Sequence, residues 1–281
     1  MAQDTHFQLH DGRTLDLSGP VVMGILNVTP DSFFDGGKYE RPEDALAQAE
    51  KMLQQGATII DLGAVSTRPG AVAPSEAEEW ARLEPVLKLL REKLPNAILS
   101  VDTWRAAIAE KAVKTGAHII NDISGGTMDA AMFATIGKFG VPYILMHIQG
   151  TPETMQQDPH YDDVVKEVKL FFEERLTQLK NAGASQIILD PGFGFGKTVE
   201  HNYQLLSSLD VFVKMGHPVL AGLSRKSMTT KLLGIGKTEA LNATTALNTI
   251  ALQKGAKILR VHDVREAVEC IRIFNYLQSI C

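Results

Sequence analysis

The stretch Val21-Val22-Met23-Gly24-Ile25-Leu26-Asn27 is apolar on both of its alternating faces and stops at a polar residue. That is the pattern of a parallel strand covered on both sides. Seven later runs repeat it: Thr58-Ile59-Ile60-Asp61, Ala97-Ile98-Leu99-Ser100-Val101-Asp102, Ile119-Ile120-Asn121-Asp122, Tyr143-Ile144-Leu145-Met146-His147, Ile187-Ile188-Leu189-Asp190, Val219-Leu220-Ala221-Gly222-Leu223-Ser224 and Ile258-Leu259-Arg260-Val261-His262-Asp263. Helix-period segments lie between and after them, at Pro42 to Gln55, Ser75 to Lys93, Trp104 to Lys114, Asp129 to Lys138, Tyr161 to Asn181, Val199 to Lys214, Thr238 to Lys254 and Val264 to Gln278. Strand and helix alternate with no Ser/Pro/Gly linker, which predicts an α/β fold, a single (β/α)8 TIM barrel over 19–281. In such barrels the chemistry sits where the strands end, so the polar last residues are the candidate site residues.

Ahead of the barrel, Phe7 to Leu17 alternates apolar and polar around Asp11-Gly12, the signature of a β-hairpin. Residues 1–18 are therefore expected to form an N-terminal hairpin that lids one barrel end, within one domain spanning 1–281.

The 281 residues, 44% of them hydrophobic and 22% charged, describe an ordinary globular chain near the roughly 250 residues of a typical barrel. Met1 to Pro20 lacks the basic and apolar regions of a signal peptide, and no apolar run is long enough to span a membrane. Two cysteines, Cys270 and Cys281, have no CxxC partner, which predicts reduced thiols and a cytoplasmic protein. A net charge of −5 argues against a nucleic-acid surface, so any anionic ligand must be small and locally gripped.

Two connections are unusually long: Thr29 to Tyr39 after the first strand and Gly63 to Ala71 after the second. Long loops on the strand-end face act as lids or binding loops. After the sixth strand, Asp190-Pro191-Gly192-Phe193-Gly194-Phe195-Gly196-Lys197-Thr198 misses a phosphate loop at Pro191 and a dinucleotide fingerprint at Lys197. What remains is a glycine-rich turn with two aromatic rings and a carboxylate at its root, suited to a flat ligand or to a tight structural turn. Asp102, Asn121 and Asp190 present carboxylates and an amide that suit a nitrogen-rich heterocycle, or cap the helices that follow.

A second set is cationic: Arg68, Arg225, Lys226, Arg260 and His262. In Arg260-Val261-His262 the period of two sends both polar side chains to one side of the strand, leaving Val261 toward the helices. Loops after strands seven and eight of these barrels often hold phosphate. Asn27 offers a neutral oxygen for Mg2+ already held by phosphate oxygens. No metal-cage spacing is present among the eight histidines, nor a GxSxG elbow, which disfavours hydrolysis through a covalent serine.

Five blocks become specific when read together: Gly24-Ile25-Leu26-Asn27-Val28-Thr29-Pro30-Asp31-Ser32-Phe33, Ser66-Thr67-Arg68-Pro69-Gly70, Asp190 to Lys197, Ser224-Arg225-Lys226-Ser227 and Arg260-Val261-His262-Asp263. In this order and on these strand ends, the chain resembles the dihydropteroate synthase family of pterin-binding barrels. The resemblance implies a transferase of folate biosynthesis. It would condense para-aminobenzoate with 6-hydroxymethyl-7,8-dihydropterin diphosphate, giving 7,8-dihydropteroate and pyrophosphate.

By the same resemblance, Asp102, Asn121, Asp190 and Lys226 bind the pterin, with Met146 packing on its ring. Arg260 and His262 hold the diphosphate, and Asn27 its Mg2+. Thr67, Arg68, Pro69, Phe33, Phe195 and Ser227 form the aminobenzoate side. Lys226, Asp102 and Arg260 are the implied catalytic groups. Ionisation of the carbon–diphosphate bond comes first in this family, a homodimer is its expected assembly, and sulfonamides are its expected inhibitors. The second strand is expected to contribute mainly through its loop, and His147 has no assigned role. Val65 stands where many relatives carry glutamate, and Phe34 where a small residue is common. A methyltransferase acting on methyltetrahydrofolate would share the pterin groups but have no use for Arg68, Arg225-Lys226 or Arg260-Val261-His262. A barrel that binds pterin without turnover is the remaining alternative.

Overall fold

The computed structural model describes residues 5–28, 41–65 and 73–280. β1 (His6–Gln8) and β2 (Thr14–Asp16) pair antiparallel, with Phe7 opposite Leu15, and Gly12 turns the chain at φ +85°. Eight parallel strands follow: β3 (Val21–Asn27), β4 (Ile59–Gly63), β5 (Ile98–Asp102), β6 (Ile119–Asp122), β7 (Tyr143–Met146), β8 (Ile187–Asp190), β9 (Leu220–Ala221) and β10 (Ile258–Val261). Their spatial order is β8-β7-β6-β5-β4-β3-β10-β9. A single bridge, Leu189 to Val219, supported by the Leu189 N–H donating to the Pro218 carbonyl at 2.9 Å, joins the two ends into a barrel. The expected TIM barrel with an N-terminal hairpin is thus the observed architecture.

Alternation along each strand sorts the core into two parts. Val22, Leu26, Ile60, Leu62, Leu99, Val101, Leu259 and Val261 face the helices. Met23, Ile59, Ile119, Ile144, Ile188, Leu220 and Ile258 fill the barrel interior, where they meet Phe7, Leu9, Leu15 and Leu17 of the hairpin. The hairpin therefore closes the end opposite the strand tips, and each of its buried side chains contributes roughly 1.5–3 kcal/mol of transfer free energy. His118 bolts it in place: its Nδ1 accepts the Leu99 N–H at 3.0 Å and its Nε2 meets Asp11 Oδ2 at 2.9 Å. Burial drives the His118 pKa down to about 4, so the ring is neutral at pH 7.

The helices are α1 (Pro42–Gln54), α2 (Glu76–Lys93), α3 (Ala106–Thr115), α4 (Met132–Phe139), α5 (Val164–Asn181), α6 (Val199–Ser207), α7 (Leu209–Val213), α8 (Ser227–Leu233), α9 (Leu241–Gln253) and α10 (Val264–Ile280). Local chemistry sets several ends. Ser75 and Glu78 form a reciprocal capping box on α2, Asp163 caps α5, and Gly116 ends α3 at φ +109°.

Three departures from the sequence reading have local causes. The segment Val199 to Lys214 is two helices, because Ser208 leaves the helical region at φ −109°, ψ 19°. The run Val219 to Ser224 forms a strand over Leu220–Ala221 only, with Val219 adding the isolated bridge and the chain leaving the sheet at Gly222. The short α8, in a stretch expected to be loop, starts straight after Lys226 and ends at Gly234, which takes φ +64°.

Candidate active site

The strand tips of β5, β6, β8 and β10 converge on one cavity. Asp102, Asn121, Ile123, Met146, Asp190, Phe193, Phe195, Gly222, Lys226 and Arg260 line it. Each strand residue points inward because it sits two places after a barrel-filling neighbour: Asn121 after Ile119, Asp190 after Ile188, Arg260 after Ile258.

Arg260 is the hub. Its Nε donates to Asp61 Oδ2 at 2.7 Å and its Nη2 to Asp102 Oδ2 at 2.9 Å. Asn121 Nδ2 donates to the same Asp61 oxygen at 3.0 Å. Asp190 Oδ1 accepts the Gly192 N–H at 2.8 Å, and the Lys226 ammonium lies 4.2 Å from the centre of the Phe195 ring.

Enclosure shifts the charge balance. Burial, reinforced by Asp61 and opposed by Arg260, pushes the Asp102 pKa up to about 7. Burial also raises Asp190, against the Gly192 N–H and the nearby cations. Burial and the Arg260 charge bring Lys226 down to about 8. Perturbed carboxylates and cations gathered in one cavity are the mark of a functional site.

His262 follows the end of β10 and, unlike Arg260, is not among the residues that line the cavity. Ser224 Oγ lies 3.0 Å from its Nδ1, and its own N–H donates to that hydroxyl at 3.2 Å. Burial and the Arg260 charge drive its pKa down to about 4. Arg225 is turned to another task. From a left-handed backbone position, φ 54°, it grips Asp263 through two bonds of 2.8 and 2.7 Å and reaches the Lys237 carbonyl at 3.0 Å, so it ties the loops after β9 and β10 together. Ser227 opens α8 and is exposed. Thr67, Arg68, Pro69, Phe33 and Phe34 lie outside the described residues; Val65 is described and buried.

Asp61 completes the set; it ends its strand run, as the other candidates do, but no motif gave it a role. The second strand gives more than its loop, because this fully buried carboxylate ties Arg260 to Asn121, while its Oδ1 has no hydrogen-bond partner among the described residues. Its position two places after Ile59 was the available signal.

For magnesium, the fit rests on Asn27 and its neighbour. Asn27 is half-buried at the end of β3, and a Cβ on Gly63 would come within 3.2 Å of the Asn27 amide oxygen, so glycine keeps that space open. Among the described residues no cluster of three or more His, Cys, Asp or Glu could hold a metal. A neutral oxygen donor of this kind suits a Mg2+ whose other ligands come from phosphate and water.

A wall of carboxylates and amide beside a cationic grip defines a site for a ring rich in N–H donors that carries an anionic group. Comparison with known proteins gives the same class. Residues 23–262 match the family described as pterin binding enzyme, and the chain belongs to that family. It is 47% identical to the dihydropteroate synthase of Escherichia coli strain K12 over 264 residues, 93% of each chain. With that of Haemophilus influenzae it shares 45% over 267 residues, 94% of this chain and 96% of the relative. Among solved structures, the Yersinia pestis dihydropteroate synthase with a sulfonamide drug complex superposes with a TM-score of 0.93 at 44% identity, covering 98% and 99% of the two chains. The Xanthomonas albilineans enzyme with 4-aminobenzoic acid gives 0.90 at 39%, covering 98% of both. Within the family, the activity of this chain is the transferase reaction that makes dihydropteroate.

Proposed function

We propose that the cavity divides the reaction between three strand ends for the pterin and two for the leaving diphosphate. The single observation that carries this reading is the Arg260 guanidinium, a cation held against the carboxylates of the proposed pterin wall. Asp102, Asn121 and Asp190 accept hydrogen bonds from ring N–H groups, Met146 packs on the ring, and Lys226 stands over the junction of the two substrates. Arg260 and His262 hold the diphosphate. Phe195, Ser227 and, in the second loop, Thr67, Arg68 and Pro69 bound the aminobenzoate, with Phe33 from the first loop.

The carbon–oxygen bond to diphosphate breaks first. Cationic side chains stabilise the departing anion, and the buried carboxylates stabilise the positive dihydropterin, a placement of fixed charges where charge develops. The aromatic amine then attacks the methylene carbon, forming the carbon–nitrogen bond and releasing its proton. No strong protein nucleophile is needed, because orientation and exclusion of water do the rest. Mg2+, held by Asn27 and by diphosphate oxygens, would supply further neutralisation of the leaving group.

The protein works as a homodimer in the cytoplasm. Support for the dimer comes from exposed apolar side chains on neighbouring helices, with Ile250 on α9 and Ile273, Tyr276, Leu277 and Ile280 on α10. For the location, the support is that no helix among the described residues is long and apolar enough to cross a membrane. Sulfonamides enter at the aminobenzoate side.

The test is turnover. Purified protein with Mg2+, dihydropterin diphosphate and para-aminobenzoate is expected to release pyrophosphate and form dihydropteroate. Absence of both products, where a known synthase works in parallel, would overturn the reading.

A further inference from the structure

The glycine-rich loop after β8 holds a buried lysine that the reaction above does not use. Lys197 is 3% exposed, and its Nζ donates to the carbonyls of Gly192 at 3.0 Å and Phe195 at 2.9 Å, while His147 Nδ1 faces it at 3.0 Å. The amine thus meets polar partners of its own loop and of His147, whose carbonyl lies a little further off at 3.4 Å, and burial brings its pKa down to about 7. None of them is a carboxylate. The amine is therefore turned inward, away from any anionic ligand, unlike the lysine of a phosphate loop.

His147, 6% exposed, is fixed from the other side. Its backbone N–H donates to the Asp190 carbonyl at 3.0 Å, and its ring packs edge-on against Phe171 at 4.9 Å. Burial and the nearby Lys197 keep the imidazole neutral, and its Nδ1 accepts from Lys197 when that amine is protonated.

The loop between them is built on glycines and is tied in part by the Gly194 N–H, which donates to Asn202 Oδ1 at 2.6 Å. Gly192, Gly194 and Gly196 all have positive φ, at 71°, 81° and 61°. A Cβ on Gly192 would overlap the His147 carbonyl, so the close approach of the two loops requires glycine there. Tyr161 and Gln156 hold the carbonyls of Gly196 and Gly194, both at 2.8 Å. Lys197 grips the carbonyl of Phe195, the residue whose ring lies under the Lys226 ammonium, and shares with the Phe195 N–H the carbonyl of Gly192, whose own N–H caps Asp190.

We propose that Lys197 and His147 are positioning residues, an internal clamp that sets the Phe195 ring and the Lys226 ammonium beside Asp190. This rests on the proposed reaction, since Phe195 and Lys226 are its substrate-facing groups.

The test compares Lys197→Met, His147→Leu and His147→Asn with the parent, in steady-state turnover and in amide hydrogen exchange of residues 191–197. Lys197→Met and His147→Leu are expected to raise KM for para-aminobenzoate at least tenfold with kcat within threefold of the parent. The loop amides should exchange at least tenfold faster. His147→Asn, which keeps an acceptor near the place of Nδ1, should stay within threefold of the parent in every measure. Should Lys197→Met not fold, the two His147 variants make the same comparison. Parent-like KM and exchange in His147→Leu, or a fall in kcat with neither changed, would overturn the clamp. The exchange measurement needs no turnover, so an inactive parent would sink the reaction reading while the clamp is still judged by exchange.

Discussion

Asp61 and Arg260 stand far apart in the chain, and the site depends on their meeting. Asp61 accepts from both Arg260 and Asn121 while adding negative charge behind Asp102. Asp61→Asn removes that charge and frees Arg260 to pair more fully with Asp102. Both effects favour the Asp102 carboxylate, so its pKa falls from about 7. If the ionised form binds the pterin ring, the acid limb of kcat/KM for dihydropterin diphosphate moves to lower pH, by about one unit, or ~1.4 kcal/mol. A limb that stays put or moves up would show that Asp61 does not act on Asp102. Arg260→Ala tests the anion grip: dihydropterin diphosphate should bind about 2–3 kcal/mol more weakly, the loss of charge-assisted hydrogen bonds, and a pterin without the diphosphate much less so. Equal losses, read by calorimetry, would place the anion elsewhere. At this scale Arg260, Asp102, Asn121 and Asp190 were legible, because alternation alone puts strand-end residues inside a barrel. Asp61 had the same alternation but no motif, and its value lies in two partners that only the closed barrel supplies. Lys197 was legible only as the residue that spoils a fingerprint, since its carbonyl partners are a matter of loop geometry.

The elements were read well where two signals agreed and less well where one stood alone. Buried runs with polar ends gave every strand position. β9 shortened because the chain leaves the sheet at Gly222, which the apolar pattern alone does not show. α6 and α7 read as one helix because their apolar spacing continues across Ser208, whereas the break is a backbone event. Element packing also gives a test independent of chemistry. Gly137 lies within α4, where the Ala182 carbonyl at the end of α5 occupies the space a Cβ would need. Helix propensity alone favours Gly137→Ala by up to about 1 kcal/mol. Overlap with backbone should outweigh that and destabilise the protein by about 1–3 kcal/mol, seen as a lower urea midpoint. A raised midpoint would mean that α4 and α5 part without penalty.

For the whole molecule, the proposed homodimer is the expectation with the least signal in the chain. Single apolar residues on a helix surface are common, and only their gathering on α9 and α10 marks a face. Tyr276→Glu is expected to shift the protein toward monomer in sedimentation while leaving its folding cooperative. A monomeric parent, or a variant as dimeric as the parent, would remove α10 from the interface.

The barrel wall is a ring of joints, and they are unequal. β3 and β4 are paired over five residues, whereas the joint between β8 and β9 is the one bridge from Leu189 to Val219. A ring placed under tension parts at its most sparsely bonded joint. Here that joint runs between Asp190 on one lip and Lys226 beyond the other, so a pulling force or a heat pulse would separate these two groups before the rest of the wall gave way. The molecule is expected to go blind to its ligand while most of its architecture still stands.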